Sequence, residues 1–247
     1  MAISSNTLFH FTPTAEYLVG ILTNEFHPRY CLEKIALVEY EFELAYPMVC
    51  FCDIPLSQIK NHVKTYGNYG IGMTKAWAQK KALNPVLYIR DYSDLAQSIS
   101  QLQKGLSKDE LNQNKYLKDI KSAYLQISRF LKPYDGDLQR GNKLLKNVNF
   151  YNEREWRYLP KWPSNIPIWL TKVHFKNHVI KAQENEKLKG YKLSFEPNDI
   201  AYIIVKEEKE IFPMINALKE IKGKYDHRTI ETLISRIITC DQILNDF

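Results

Sequence analysis

Apolar and polar positions along this chain fall in short blocks whose period switches repeatedly between that of a strand and that of a helix. Leu8-Phe9-His10-Phe11 predicts a short strand, followed by Thr12 as N-cap and Pro13 at the first position of a helix with Leu18, Ile21 and Leu22 on its apolar face. Pro47-Met-Val-Cys-Phe-Cys52 is a continuous apolar run, the pattern of a buried strand, bounded by Asp53 and Pro55. Ile59 and Val63 then mark the stripe of a helix. Gly67, Gly70 and Gly72 punctuate a tyrosine-rich stretch that reads as a loop. Thr74 caps a helix from Lys75 to Leu83, and Val86 to Ile89 forms a compact strand.

The longest predicted helix lies in the middle. Ser107-Lys-Asp-Glu110 matches a capping box, and Leu117, Ile120, Tyr124, Ile127 and Leu131 recur at spacings of three and four. Lys115, Lys118, Arg129 and Lys132 project to one flank of that stripe. The segment reads as a helical insertion at about 104–147, ended by Pro133-Tyr-Asp-Gly136. Further on come strands at 153–159 and 200–205, a helix on Ile211, Met214, Leu218 and Ile221 ending near Gly223, a helix at 229–235 and an edge strand at 236–239. Strands mixed with helices on irregular loops predict an α+β fold over a single domain, 1–247, and not a regular βαβ winding.

With 247 residues and 45% hydrophobic content, such a domain closes a core without disulfides or metal. No apolar run approaches the roughly 18 residues of a membrane span. Met1-Ala-Ile-Ser-Ser5 also lacks the basic start and apolar stretch of a secretory signal, so the chain is expected in the cytoplasm. Cys31, Cys50, Cys52 and Cys240 form no Cys-x-x-Cys pair, which suits a reducing compartment. Cys50 and Cys52 share a strand face, as buried thiols or a metal clip, but the histidines show no zinc spacing and no metal is predicted. The net charge of +6 is concentrated between Lys104 and Lys146, where ten Lys/Arg face five Asp/Glu. That segment is either a surface for nucleic acid or a solvated helix face.

Candidate chemistry centres on Tyr151-Asn-Glu-Arg-Glu-Trp-Arg157. On a strand, Glu153, Glu155 and Arg157 point one way, and Arg154, Trp156 and Tyr158 the other. Arg157 can hold Glu155 ionised and oriented, ready to stabilise positive charge or accept a proton; the alternative is a surface ladder of salt bridges anchored by Trp156. His10 is either a satisfied core residue or a donor to a ribose or phosphate at a cleft mouth. Tyr66-Gly-Asn-Tyr69-Gly-Ile-Gly72 matches neither the dinucleotide fingerprint nor the P-loop. Tyr66 and Tyr69 either stack on an aromatic ring or cover the core.

Cys50-Phe-Cys-Asp-Ile-Pro-Leu56, Tyr66-Gly-Asn-Tyr-Gly-Ile-Gly72, Asn84-Pro-Val-Leu-Tyr-Ile89 and Tyr151-Asn-Glu-Arg-Glu-Trp-Arg-Tyr158, in this order, resemble the AbiGi family of abortive phage-infection proteins. That family is labelled an antitoxin, which implies a cognate protein partner and proposes no chemistry. Leu8-Phe-His-Phe-Thr12 and Tyr17-Leu-Val-Gly-Ile-Leu22 resemble the opening of DarT-like ADP-ribosyltransferases. This second resemblance implies a split β-sheet core with flanking helices and NAD as co-substrate. His10 would contact a ribose, Thr12 would join it in binding the cofactor, Tyr66 or Tyr69 would stack on nicotinamide, Glu155 would be catalytic, Glu153 would orient the acceptor and Arg157 would orient Glu155. The readings are a transferase acting on a nucleic acid or protein, a non-enzymatic antitoxin that binds a partner, and a regulator that binds nucleic acid.

Overall fold

The computed structural model describes residues 5–36, 41–106, 115–140, 143–161 and 166–246. In chain order its first half holds β1 (Thr7–Thr12), α1 (Ala15–Asn24), β2 (Arg29–Ala36), β3 (Glu41–Cys52), α2 (Lys60–Tyr66), β4 (Tyr69–Thr74), α3 (Lys75–Lys80), β5 (Asn84–Pro85), β6 (Leu87–Ile89), α4 (Asp94–Leu106) and α5 (Lys115–Ser128). There follow β7 (Leu131–Pro133), β8 (Asp135–Arg140), β9 (Lys143–Asn149), β10 (Glu155–Tyr158), β11 (Leu170–Thr171), α6 (Lys172–Lys176), α7 (His178–Lys187), β12 (Ile200–Val205), α8 (Ile211–Lys222), α9 (His227–Ile234), β13 (Ile237–Thr239) and α10 (Cys240–Asp246).

The architecture is mixed α and β, built on one large sheet of order β13-β12-β4-β1-β3-β10-β5, with β2 and β11 also on β3. Its ladders are antiparallel except for β12 with β13, so chain order and strand order are shuffled as an α+β fold requires. Leu8, Phe51, Ile71 and Ile203 face one side, where α1, α3 and α8 bring Leu18, Trp77 and Leu218. Phe9, Phe11, Cys52 and Ile204 face the other, under Ile59 and Val63 at α2 and Ile243 of α10.

Several predicted elements shift. The first helix begins at Ala15 behind Thr14, because Thr12 still pairs with Tyr69 at the end of β1 and its hydroxyl donates to the Thr14 carbonyl. The glycine-punctuated stretch is a central strand, β4, and not a loop. A Cβ at Gly72 would lie 2.8 Å from the Phe9 ring and from Thr7 Cγ2, so glycine there is what lets β1 and its rings close on β4. Gly67, at φ 117°, is the turn itself, and a Cβ there would meet the Thr12 carbonyl at 2.2 Å. Thr74 caps α3 through the Trp77 N–H, as predicted.

The central segment divides differently from one long helix. The capping box at Ser107–Glu110 lies outside the described residues. α5 ends at Ser128, and Leu131 belongs to β7, a strand parallel to β6. β8 and β9 then form a separate two-stranded ribbon. Glu153 closes a 3-10 turn and does not belong to the strand, which starts at Glu155 after a left-handed Arg154 (φ 46°).

Candidate functional site: a buried charge cluster

Strand register decides which candidate residues can meet. Cys52 opposes both Phe9 and Glu155, and Cys50 opposes Arg157, so these side chains share one face. Trp156 opposes Phe51, on the other face. On β2, Glu33 opposes Leu44, which has the same parity along β3 as Cys50 and Cys52. Leu44 and Cys50 would stand about 20 Å apart on a flat strand. Yet Arg157 Nη2 lies 2.8 Å from Glu33 Oε1, closer than the two side chains could come across that span, so β3 must bend around this face.

Inside the bend, Arg157 is fully buried and Glu155 is 4% exposed. Arg157 Nε donates to Glu155 Oε1 at 2.5 Å, and its Nη1 donates to the Arg129 carbonyl at 2.7 Å. Lys132 Nζ lies 2.6 Å from the second Glu155 oxygen, 3.6 Å from Glu153 and 3.8 Å from Glu33. The Tyr66 hydroxyl donates to Glu153, and the Tyr88 hydroxyl accepts the Glu155 N–H at 2.8 Å. Three carboxylates thus share two cations, with every oxygen of Glu155 engaged.

Burial alone would raise the Glu155 carboxyl, but Arg157 and Lys132 outweigh it and hold the group well below the usual carboxylate range. Burial would likewise lower the Lys132 ammonium, while Glu155, Glu33 and Glu153 push it well above its ordinary value. Glu155 and Lys132 therefore hold each other in the ionised state. This is neither a surface ladder nor a free base: the carboxylate is desolvated, paired and hydrogen-bonded.

His10 sits across the sheet. Its ring packs edge-on to Phe26 at 5.4 Å and tilted on Phe51 at 5.6 Å, on the Trp77 side. Nδ1 lies 2.8 Å from the Cys50 carbonyl; since a carbonyl only accepts, Nδ1 carries the proton. Burial lowers the His10 pKa, so the ring is neutral. Tyr69 is on that side too, donating to Glu210 Oε1 at 2.6 Å, and burial with that contact pushes its hydroxyl up to about 12. Thr12, paired with Tyr69, is buried. The structure therefore brings Tyr66, Glu153, Glu155 and Arg157 together and places His10, Thr12 and Tyr69 apart from them. The cleft expected for NAD, with His10, Tyr69 and Glu155 on one wall, is not assembled.

Sequence reasoning missed Glu33 altogether and placed Lys132 and Arg129 on a solvated helix flank. Both are buried, Lys132 in β7 and Arg129 just before it. The alternation in Arg29-Tyr-Cys-Leu-Glu-Lys-Ile-Ala36 was the available signal for β2. Among the described residues no group of three His, Cys, Asp or Glu is placed to hold a metal, and no helix is long and apolar enough to cross a membrane.

A family model described as "Putative abortive phage resistance protein AbiGi, antitoxin" matches residues 24–206, a span that contains Glu33, Lys132, Glu155 and Arg157. The chain belongs to the AbiGi family. A relative, the abortive phage resistance protein AbiGi of Lactococcus lactis subsp. cremoris, is 28% identical over 251 residues, covering 90% of this chain and 99% of the relative. No solved structure matches the chain. The family match covers β2 to β12, so all members of the buried charge cluster lie within it.

Proposed function

We propose that this AbiGi chain works in phage resistance as an antitoxin that holds a protein partner, its buried charge cluster serving the fold and not a reaction. One observation carries this reading: Glu155, the best catalytic candidate, is 4% exposed with both oxygens engaged by Arg157 and Lys132. A carboxylate so held has no free oxygen with which to meet a substrate. The family description, which names an antitoxin, agrees with it.

The rival reading, NAD binding and ADP-ribose transfer at Glu155 in an ADP-ribosyltransferase-like fold, is separated by one experiment. The chain is co-expressed with the product of the gene beside it, and growth is scored with Glu155→Gln and Glu153→Gln, each checked for folding by circular dichroism. Partner-holding predicts that the folded variants still neutralise the product and that wild type releases no nicotinamide from NAD. Nicotinamide release by wild type that Glu155→Gln abolishes would overturn the antitoxin reading. Glu153 lies at the outer rim of the cluster, so its variant remains informative if Glu155→Gln fails to fold.

A further inference from the structure

The bend that gathers the charge cluster also gathers two thiols. Cys31 opposes Tyr46 on β3, and Tyr46 has the parity of Cys50 and Cys52, so all three cysteines point to the cluster's face. On a flat strand Tyr46 and Cys50 stand about 13 Å apart, beyond the reach of two cysteine side chains. Arg157 opposes Cys50, and Glu33 is the next residue after Cys31 on the same face of β2, so the ion pair between them shows that the bend closes that distance. The Cys31 and Cys50 thiols hydrogen-bond to each other there, and both lie in the fields of Glu155 and Arg157.

The other two cysteines are placed differently. Cys52 is buried and donates to the Phe9 carbonyl at 3.4 Å, and Cys240, buried in α10, contacts Asn68 Oδ1 at 3.8 Å. Cys31 and Cys50 are partly exposed, and the 3.5 Å contact of Cys31 Sγ with the Arg29 carbonyl lies at the surface, open to a small solute. The bond between the two thiols also divides their roles. It pulls the Cys31 thiol below its ordinary value, while the same bond and burial push the Cys50 thiol well up. Arg157 favours a thiolate at either sulfur; Glu155 opposes it at both, and Glu33 at Cys31. Cys31 is therefore the readier nucleophile and Cys50 the proton donor beside it.

We infer that Cys31 and Cys50 form a redox site, a dithiol that hydrogen peroxide converts to an intramolecular disulfide. The Cys31 thiolate attacks one peroxide oxygen: an S–O bond forms, the O–O bond breaks, and the leaving oxygen takes up a proton and departs as water, leaving a sulfenic acid. The Cys50 sulfur gives up its proton and attacks the Cys31 sulfur. The S–S bond forms as the S–O bond breaks, and a second water leaves. Two thiols lose two electrons in all, and one peroxide becomes two waters. The new bond ties β2 to β3 across the bend and holds Glu33 beside Arg157. In a reducing compartment the pair stays open until peroxide arrives.

The test exposes the full, reduced chain to a small excess of hydrogen peroxide, blocks the remaining thiols with iodoacetamide in denaturant and maps the unreduced digest by mass spectrometry. Expected are a cross-link between the Cys31 and Cys50 peptides, alkylation kept at Cys52 and Cys240, and return of both lost thiols with dithiothreitol. Cys50→Ser should leave Cys31 as a sulfenic acid that dimedone traps. Cys31→Ser should slow oxidation at Cys50 about tenfold or more, and Cys240→Ser should oxidise as wild type does. The oxidised chain should melt about 5 °C or more above the reduced one, because the bond closes a loop in a geometry already formed. Thiols that all survive the peroxide would overturn the inference, as would a cross-link through Cys52 or Cys240 or between two chains. An oxidised chain that melts lower than the reduced one would overturn it as well, since the bend would then have to distort to make the bond. None of these results bears on the antitoxin reading, which does not use the two thiols.

Discussion

The two faces of β3 and β10 share a backbone and differ in what stabilises them. On one face Phe51 and Trp156 pack with Leu8, Trp77 and Phe26, and the imidazole there, His10, is kept neutral by its apolar surroundings. On the other face Lys132, Glu155 and Arg157 are paired and buried, with the partly buried Glu33 beside them. Alternation of side chains along the strands sends Phe51 and Trp156 to one face and Cys50, Glu155 and Arg157 to the other. The apolar face gains in proportion to area removed from water. The charged face is held by complementarity, so its stability depends on keeping every partner.

Truncation on either face should cost a comparable amount, and repair should tell them apart. Phe51→Ala opens a cavity and should destabilise the protein by about 3–5 kcal/mol in urea denaturation. Arg157→Met leaves Glu155 and Glu33 short of a cation and should cost about 3–5 kcal/mol as well. Adding Glu155→Met, Glu33→Leu and Lys132→Met to Arg157→Met should recover much of the loss, since an apolar replacement of a buried ion group is often neutral while a cation left behind is not. If the added substitutions deepen the loss, complementarity is not what stabilises that face.

A smaller effect sharpens the contrast on β4, where Ile71 and Met73 fill the apolar side while Gly70 and Gly72 leave room on the other. Gly72→Ala should cost about 1–3 kcal/mol, because its methyl must push the Phe9 ring and Thr7. A neutral outcome in thermal melts would show that the rings have slack.

Acid should separate the faces by pH window with the gentlest effect of the three. The folded His10 ring binds its proton less readily than the ordinary value of 6.5, so the unfolded chain takes up more protons as pH falls. Stability from His10 is complete above 6.5 and declines below it. Glu155 is depressed from an ordinary 4.5, so its contribution is complete above 4.5 and declines only on further acidification. His10→Phe should flatten the upper decline in stability-versus-pH curves and Glu155→Gln the lower one. A single shared step would break the assignment.

Much of the frame was legible from short-range pattern. The strands around Phe9, Cys50 and Ile203, the Thr74 cap and the helix ending at Gly223 follow from periodicity and capping chemistry that act within a few residues. The charge cluster was half legible: Glu155 and Arg157 share a face by local alternation, but Glu33 and Lys132 reach them only because β3 bends and β7 folds back, which no local pattern encodes. The three-four spacing that ran from Leu117 to Leu131 continued past Ser128 by coincidence, which put Lys132 on a helix it does not join. His10 was misgrouped with Glu155 for the same reason, since strand register sets the sheet face and cannot be read from one strand alone.

The place of β10 between β3 and β5 also has a consequence for the chain as it is made. Val49 to Cys52 pair with residues 155–158, synthesised about a hundred positions later. Until those residues emerge, one side of the apolar run Pro47 to Cys52 is an open strand edge, the kind of template on which nascent chains associate. Anything that stalls synthesis between residues 52 and 158 prolongs that exposure, so yield on overexpression should depend on elongation through this interval more than on the stability of the finished fold.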